Sequence, residues 1–192
     1  MQESMQPPRS QVGMRFIGSF LKFALIALLI ATPFRFFVAQ PFIVSGASMT
    51  PTLDQGEYLV IDEITYRFEK PQRGDIVIFR YPLDTDIFFI KRVVGLPGES
   101  LEIKDGLVSI QASSGEEITL MEPYRSSDAK EARATSIQLA ADEYFVLGDN
   151  RGASADSRVW GPLQDRYIVG RAFARLLPLD SMSLFPGKYS FE

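Results

Sequence analysis

The 192-residue chain contains no histidine and no cysteine. A Ser-His-Asp triad, a Cys-His dyad and a zinc site held by His or Cys are therefore impossible on this chain alone. A disulfide frame is excluded too. The formal net charge of −4 gives no electrostatic case for nucleic-acid binding. If the chain is a hydrolase with a side-chain nucleophile, a Ser-Lys arrangement is the leading option left.

What is present is apolar: 46% of residues are hydrophobic and 12% aromatic, with 15 Phe, which argues against disorder. Residues 1–15 read as a polar tail containing Arg9 and Arg15. Residues 16–38 read as a transmembrane anchor, since a spanning helix needs about 20 mainly apolar residues and Lys22 can snorkel at an interface. A cleaved signal peptide and a buried core helix are the competing readings of this stretch. The excess of basic residues on its N-terminal side predicts a cytoplasmic N-terminus, a single pass through the membrane and an extracytoplasmic body.

From residue 39 to 192 short β-branched segments alternate with turn formers. Glu57 to Asp62, Asp75 to Arg80, Ile87 to Val94, Glu143 to Leu147 and Arg166 to Arg175 all read as strands. Asp105-Gly106, between Leu101–Lys104 and Leu107–Ile110, is the strongest short hairpin signal. The expected fold class is mostly β, an antiparallel sheet domain, with a surface excursion at about 111–141 that includes a short helix near Ser127 to Arg133.

Two residues stand in unusual settings. Ser48 follows Gly46 and precedes Met49-Thr50-Pro51, a frame that can fix an accessible hydroxyl; an isolated loop serine is ordinarily just solvated. Lys91 lies in Phe89-Ile90-Lys91-Arg92-Val93, and in a strand it shares a face with Phe89 and Val93. Both faces of that strand are apolar, so at least one of the two cations sits against hydrophobic surface. A lysine held there is desolvated and its pKa falls toward the range a general base needs. Arginine stays charged and cannot serve. A solvated surface lysine is the plain alternative. A third stretch, Gly148 to Pro162, is dense in turn formers and in Asp and Arg side chains that can order a loop.

Taken together these segments resemble the type I signal peptidases, membrane-bound serine proteases. The resemblance rests on Ser48-Met49-Thr50-Pro51-Thr52-Leu53, Arg73-Gly74-Asp75, Ile90 to Gly98, and Gly148-Asp149-Asn150-Arg151 leading to Ser154, Asp156 and Arg158, in that order behind an anchor. It implies Ser48 as nucleophile, Lys91 as general base and Ser154 as a hydrogen-bond partner that orients the lysine. Arg92, Asp149, Asp156 and Arg158 become charged supports. The Ser48 amide contributes to an oxyanion hole, whose second donor is open because Gly46 stands where some members carry a hydroxyl. Phe42, Val44, Met49, Leu53, Ile78, Phe89 and Ile90 are expected to line the substrate pockets. The implied partners are signal peptides of exported preproteins and the lipid bilayer, with no nucleic acid and neither metal nor organic cofactor. The rivals are a self-cleaving Ser-Lys regulator and an inactive membrane-tethered scaffold of the same fold.

Overall fold

In the computed structural model the described residues are 18–29, 39–112, 115–126 and 135–191. They fall in two units, Met1–Val38 and Ala39–Glu192. Within the first, residues 18–29 form helix α1, whose large apolar side chains, Phe20 and Phe23 among them, are exposed. Among the described residues no helix is long and apolar enough to cross a membrane. The rest of the expected 16–38 anchor, and the helix expected near Ser127 to Arg133, lie outside the described residues.

The second unit is mostly antiparallel β, as its alternating pattern predicts. Its strands are β1 (Ala39–Ile43), β2 (Tyr58–Asp62), β3 (Ile76–Tyr81), β4 (Asp84–Gly95), β5 (Ser100–Lys104), β6 (Leu107–Gln111), β7 (Glu117–Thr119), β8 (Thr135–Gln138), β9 (Glu143–Leu147), β10 (Leu163–Gln164), β11 (Ile168–Leu177) and β12 (Ser183–Leu184). One short helix, α2 (Ser157–Trp160), precedes β10. The larger sheet runs β1-β2-β11-β3-β4-β9-β10, with β12 beside β11, and the smaller runs β7-β6-β5-β8.

Strand β4 organises the larger sheet because its two faces feed two cores. Ile78 pairs with Ile90, and both pack with Val44, Met49, Leu53, Leu59, Ile61 and Ile76. The alternate residues Val77, Phe79 and Val93 join Tyr144, Val146 and Leu163, with Phe89 and Trp160 packed against them. A period of two sends each set to its own side. Lys91, opposite Val77, belongs to the second, aromatic face.

The excursion is more structured than its composition indicates. Asp105 and Gly106 carry the positive φ that a tight hairpin turn requires, and β7 and β8 extend that hairpin into the smaller sheet. Leu120 and Leu139 are buried there with Ile103, Val108 and Phe145. The described parts of 111–141 therefore supply core rather than surface alone. Strand β1 also falls on a stretch that reads as the tail of an apolar run; its pairing with β2 from Ala39 to Ile43 makes it an edge strand of the larger sheet.

Candidate active site

Ser48 sits in the turn that follows β1. Val44 and Glu57 close the neck of this loop through Val44 N–H to Glu57 O at 2.9 Å, and Gly56 N–H returns to Val44 O at 2.9 Å. Leu53 N–H donates to Met49 O at 3.0 Å, and the Met49 and Leu53 side chains are wholly inside the core. These two apolar anchors hold the turn down while Ser48, between them and the surface, stays half-buried. Asn150 N–H donates to Ser48 O at 3.0 Å, which ties the loop after β9 to the serine.

Lys91 Nζ donates to Ser48 Oγ at 2.8 Å and to Ile90 O at 2.8 Å. The lysine is only 4% exposed, and its amine lies 5.1 Å from the centroid of the Phe89 ring. Burial pulls its pKa down from 10.5 to about 8, against the opposing pull of the Asp156 and Asp149 carboxylates. An amine with that pKa is substantially neutral in mildly alkaline solution. It then has a lone pair facing a hydroxyl, the arrangement general-base activation of a serine requires.

On the opposite face of β4, Arg92 is fully buried and fully partnered. Its Nε and Nη2 grip Asp149 Oδ1 and Oδ2 at 2.8 and 2.6 Å. Its Nη1 donates to Gly74 O at 3.0 Å and Gly187 O at 2.6 Å. The Tyr124 ring lies 3.8 Å from the guanidinium carbon. The C-terminal segment comes so close that a Cβ on Gly187 would stand 2.0 Å from the Thr52 methyl, and one on Gly74 would stand 1.8 Å from Tyr189 O. Only glycine fits at either position.

A second charged group follows β9. Asp156, with no exposed surface, accepts from Gly148 N at 3.1 Å and from Arg158 Nε and Nη2 at 2.7 and 2.8 Å. It also caps α2 by accepting from Arg158 N. Arg158 Nη2 reaches Arg151 O at 2.8 Å, and Arg151 pairs with Glu122. Glu122 and Tyr124 lie in the excursion, where their scattered setting gave no sign of a role beside the site.

The site residues anticipated from sequence divide in the structure. Phe42, Val44, Ile78, Phe89 and Ile90 line a cleft of about 390 Å³ that ends at Ser48 and Lys91. Ser45, Gly46, Ala47, Phe88, Ala153 and Ala155 line it as well. Met49 and Leu53 do not; they are buried in the core cluster together with the cleft residues Val44 and Ile78. Ser154 also departs from expectation. Its Oγ is buried without any hydrogen-bond partner, so it makes no bond to Lys91, and the Ile90 carbonyl takes the lysine's second proton instead. A Cβ on Gly148 would lie 2.3 Å from Ser154 Oγ and 2.5 Å from Ser48 O, so the missing side chain at 148 is what lets these groups converge. Gly46 has φ +85°, and nothing lies within 4 Å of the position its Cβ would occupy. The amides of Gly46 and Ser48 donate to no group among the described residues.

Residues 17–177 match the family described as signal peptidase, peptidase S26. The chain belongs to the signal peptidase family. Probable signal peptidase I-1 of Synechocystis sp. is 36% identical over 171 residues, covering 85% of this chain and 84% of that protein. Signal peptidase I T of Bacillus subtilis is 36% identical over 171 residues, covering 84% and 86%. Thylakoidal processing peptidase 1, chloroplastic, of Arabidopsis thaliana is 34% identical over 172 residues, covering 84% of this chain and 49% of that protein. The signal peptidase assignment makes the chain a hydrolase of the serine endopeptidase class.

Proposed function

We propose that this signal peptidase is a membrane-anchored endopeptidase that removes signal peptides from exported preproteins after small-x-small motifs, with Ser48 as nucleophile and Lys91 as its general base. The observation that carries this reading is the 2.8 Å contact between a dehydrated lysine amine and a serine hydroxyl at the end of an apolar cleft.

In this reading the neutral Lys91 amine takes the Ser48 proton as Oγ attacks the scissile carbonyl. Negative charge then develops on the carbonyl oxygen, and the unengaged Ser48 amide is available to receive it. The Gly46 amide, equally unengaged, fills the second position that a side-chain hydroxyl would otherwise take. The Lys91 ammonium returns its proton to the departing amine, leaving an acyl-enzyme that water resolves with the same lysine as base.

Substrate geometry follows from two strand edges. Among the described residues β1 pairs only with β2, and residues 84–88 of β4 pair only with β3, so neither has a strand partner on its other side. Phe42 of β1 and Phe88 of β4 both line the cleft and touch edge-on at 5.4 Å, which brings the two strands to one cleft, where an extended peptide can add main-chain hydrogen bonds to either edge. Walls built from Phe, Ile and Val accept a methyl-sized side chain and reject charge. The exposed apolar side chains of α1 support anchoring of the N-terminal unit in the bilayer, with the N-terminus cytoplasmic and the catalytic body on the extracytoplasmic side.

The full chain in detergent, incubated with a preprotein, is expected to yield product of mature size. Ser48→Ala and Lys91→Arg each abolish it while leaving the far-ultraviolet circular dichroism unchanged. Substantial cleavage by either variant sinks the dyad, and preprotein binding without cleavage by the unaltered chain supports the scaffold reading instead.

A further inference from the structure

Behind the wall of the cleft stands a layer of aromatic rings that the dyad chemistry does not touch. Lys91 shares its face of β4 with Phe89, and that ring does two things at once: it forms part of the cleft and it covers the lysine amine at 5.1 Å. Phe89 in turn is backed by Tyr81, which stacks on it at 4.6 Å and 25°. Phe79 meets Phe89 edge-on at 6.2 Å. Trp160, the single tryptophan of the chain, contacts Tyr81 at 6.1 Å and Phe79 at 5.7 Å. It does not line the cleft.

Two further observations point to packing as the purpose of Trp160. Its indole Nε1 is buried and has no hydrogen-bond partner, although a buried Trp N–H usually finds one. The ring is therefore held by its neighbours alone. It also ends α2, the helix capped by Asp156, so this short helix and its cap together supply a carboxylate that acts on Lys91 and a ring that backs the lysine's cover.

Resting on the dyad reading above, we infer that Trp160 and Tyr81 are positioning residues for Lys91: their rings press Phe89 onto the lysine side chain and keep water away from the amine. The other groups facing that amine are the Ser48 hydroxyl, the Ile90 carbonyl, and the carboxylates of Asp149 and Asp156. None of them excludes water, and the two carboxylates favour the charged amine. Dehydration by the apolar side chains around the amine, the Phe89 ring and the facing Val77 among them, is the opposing influence, and Phe89 supplies its share only while its ring is fixed. Without Tyr81 and Trp160 the ring gains freedom to rotate off the lysine, water enters, and the protonated form is favoured.

The test is the pH dependence of kcat/KM for the full chain between pH 6.5 and 10.5. Trp160→Ala and Tyr81→Leu are expected to move the acidic limb upward by about one pH unit. At pH 7.5 this appears as a loss of about tenfold in kcat/KM, which is recovered above pH 10, with KM on the plateau unchanged. Trp160→Phe, which keeps a ring and removes the orphan N–H, retains the limb of the unaltered chain. Tyr81, half-buried at the end of β3, serves if Trp160→Ala does not fold. A uniform fall at every pH, or an unmoved limb in whichever of the two variants folds, overturns the inference while the dyad stands. Absence of Ser48-dependent cleavage in the unaltered chain removes the dyad reading and this inference with it.

Discussion

On one face of β4 the Arg92 guanidinium meets a bidentate carboxylate, two backbone carbonyls and an aromatic ring. On the other face, one residue earlier, the Lys91 amine meets a hydroxyl, one carbonyl and the face of a phenylalanine ring, with no carboxylate in hydrogen-bond reach. Both are almost completely buried. The difference shows two ways to bury a cation. Full pairing keeps the charge and makes a rigid hub; partial pairing leaves the charge costly and the proton easily lost. Arginine suits the first because it stays protonated and its fork matches a carboxylate. Lysine suits the second.

Breaking the paired side has the largest expected effect. Asp149→Ala strands Arg92 without its counter-charge, and removing one member of a buried pair costs about 3–5 kcal/mol. Urea denaturation is expected to show a fall in unfolding free energy of that size, read from a lower midpoint at unchanged slope, with activity lost at temperatures where the unaltered chain is stable. A loss under 1 kcal/mol would mean that the Gly74 and Gly187 carbonyls alone hold the arginine.

The unpaired side predicts the opposite sign. Lowering the Lys91 pKa from 10.5 to about 8 means that the folded state holds the protonated lysine at a cost on the order of 3 kcal/mol. Below pH 8 both folded and unfolded chains carry the proton and the cost is present in full. Between about 8 and 10.5 the folded state releases its proton first, so stability rises with pH, and above 10.5 the cost is gone. Lys91→Met is therefore expected to be more stable than the unaltered chain at pH 7, by up to that amount, and inactive under the proposed dyad. Its advantage shrinks across the window from 8 to 10.5. Equal stability of the two chains at pH 7 would show that Lys91 is not dehydrated in solution.

The smallest effect belongs to Ser154. Since its hydroxyl makes no hydrogen bond, Ser154→Ala gives up none, and kcat/KM is expected to stay within about fivefold of the unaltered value. A loss of a hundredfold would place a hydrogen bond from Ser154 in the substrate complex, and would narrow the contrast between the two cations by giving Lys91 a further partner.

Much of this contrast is legible in sequence because a strand has period two. Phe89, Lys91 and Val93 had to share a face, and the turn chemistry of Asp105-Gly106 fixed a hairpin. The pairing of Lys91 with Ser48 joins positions 43 apart, and only the combination of sequence boxes, not the spacing, pointed to it. Met49 and Leu53 are buried in the core and do not line the cleft, a distinction sequence does not carry, because an apolar residue beside Ser48 looks the same whether it meets substrate or core. β7 and β8 are three and four residues long, too short for alternation to stand out from the polar residues around them. The aromatic backing of Phe89 joins β3, β4 and α2 through ring contacts whose partners lie as many as 81 positions apart, and local patterning carries no trace of it.

The Arg92 hub also bears on when this protease can exist during its own synthesis. One of its carbonyl acceptors belongs to Gly187, and the backbone of Tyr189 lies against Gly74. A ribosome that has made Ser48, Lys91 and Asp149 has made every group of the proposed dyad and of the Arg92–Asp149 salt bridge, yet the guanidinium still lacks a partner and the wall over it is open. The hub closes only after the residues near 190 emerge, so a chain stalled or clipped before them is left with Arg92 incompletely partnered.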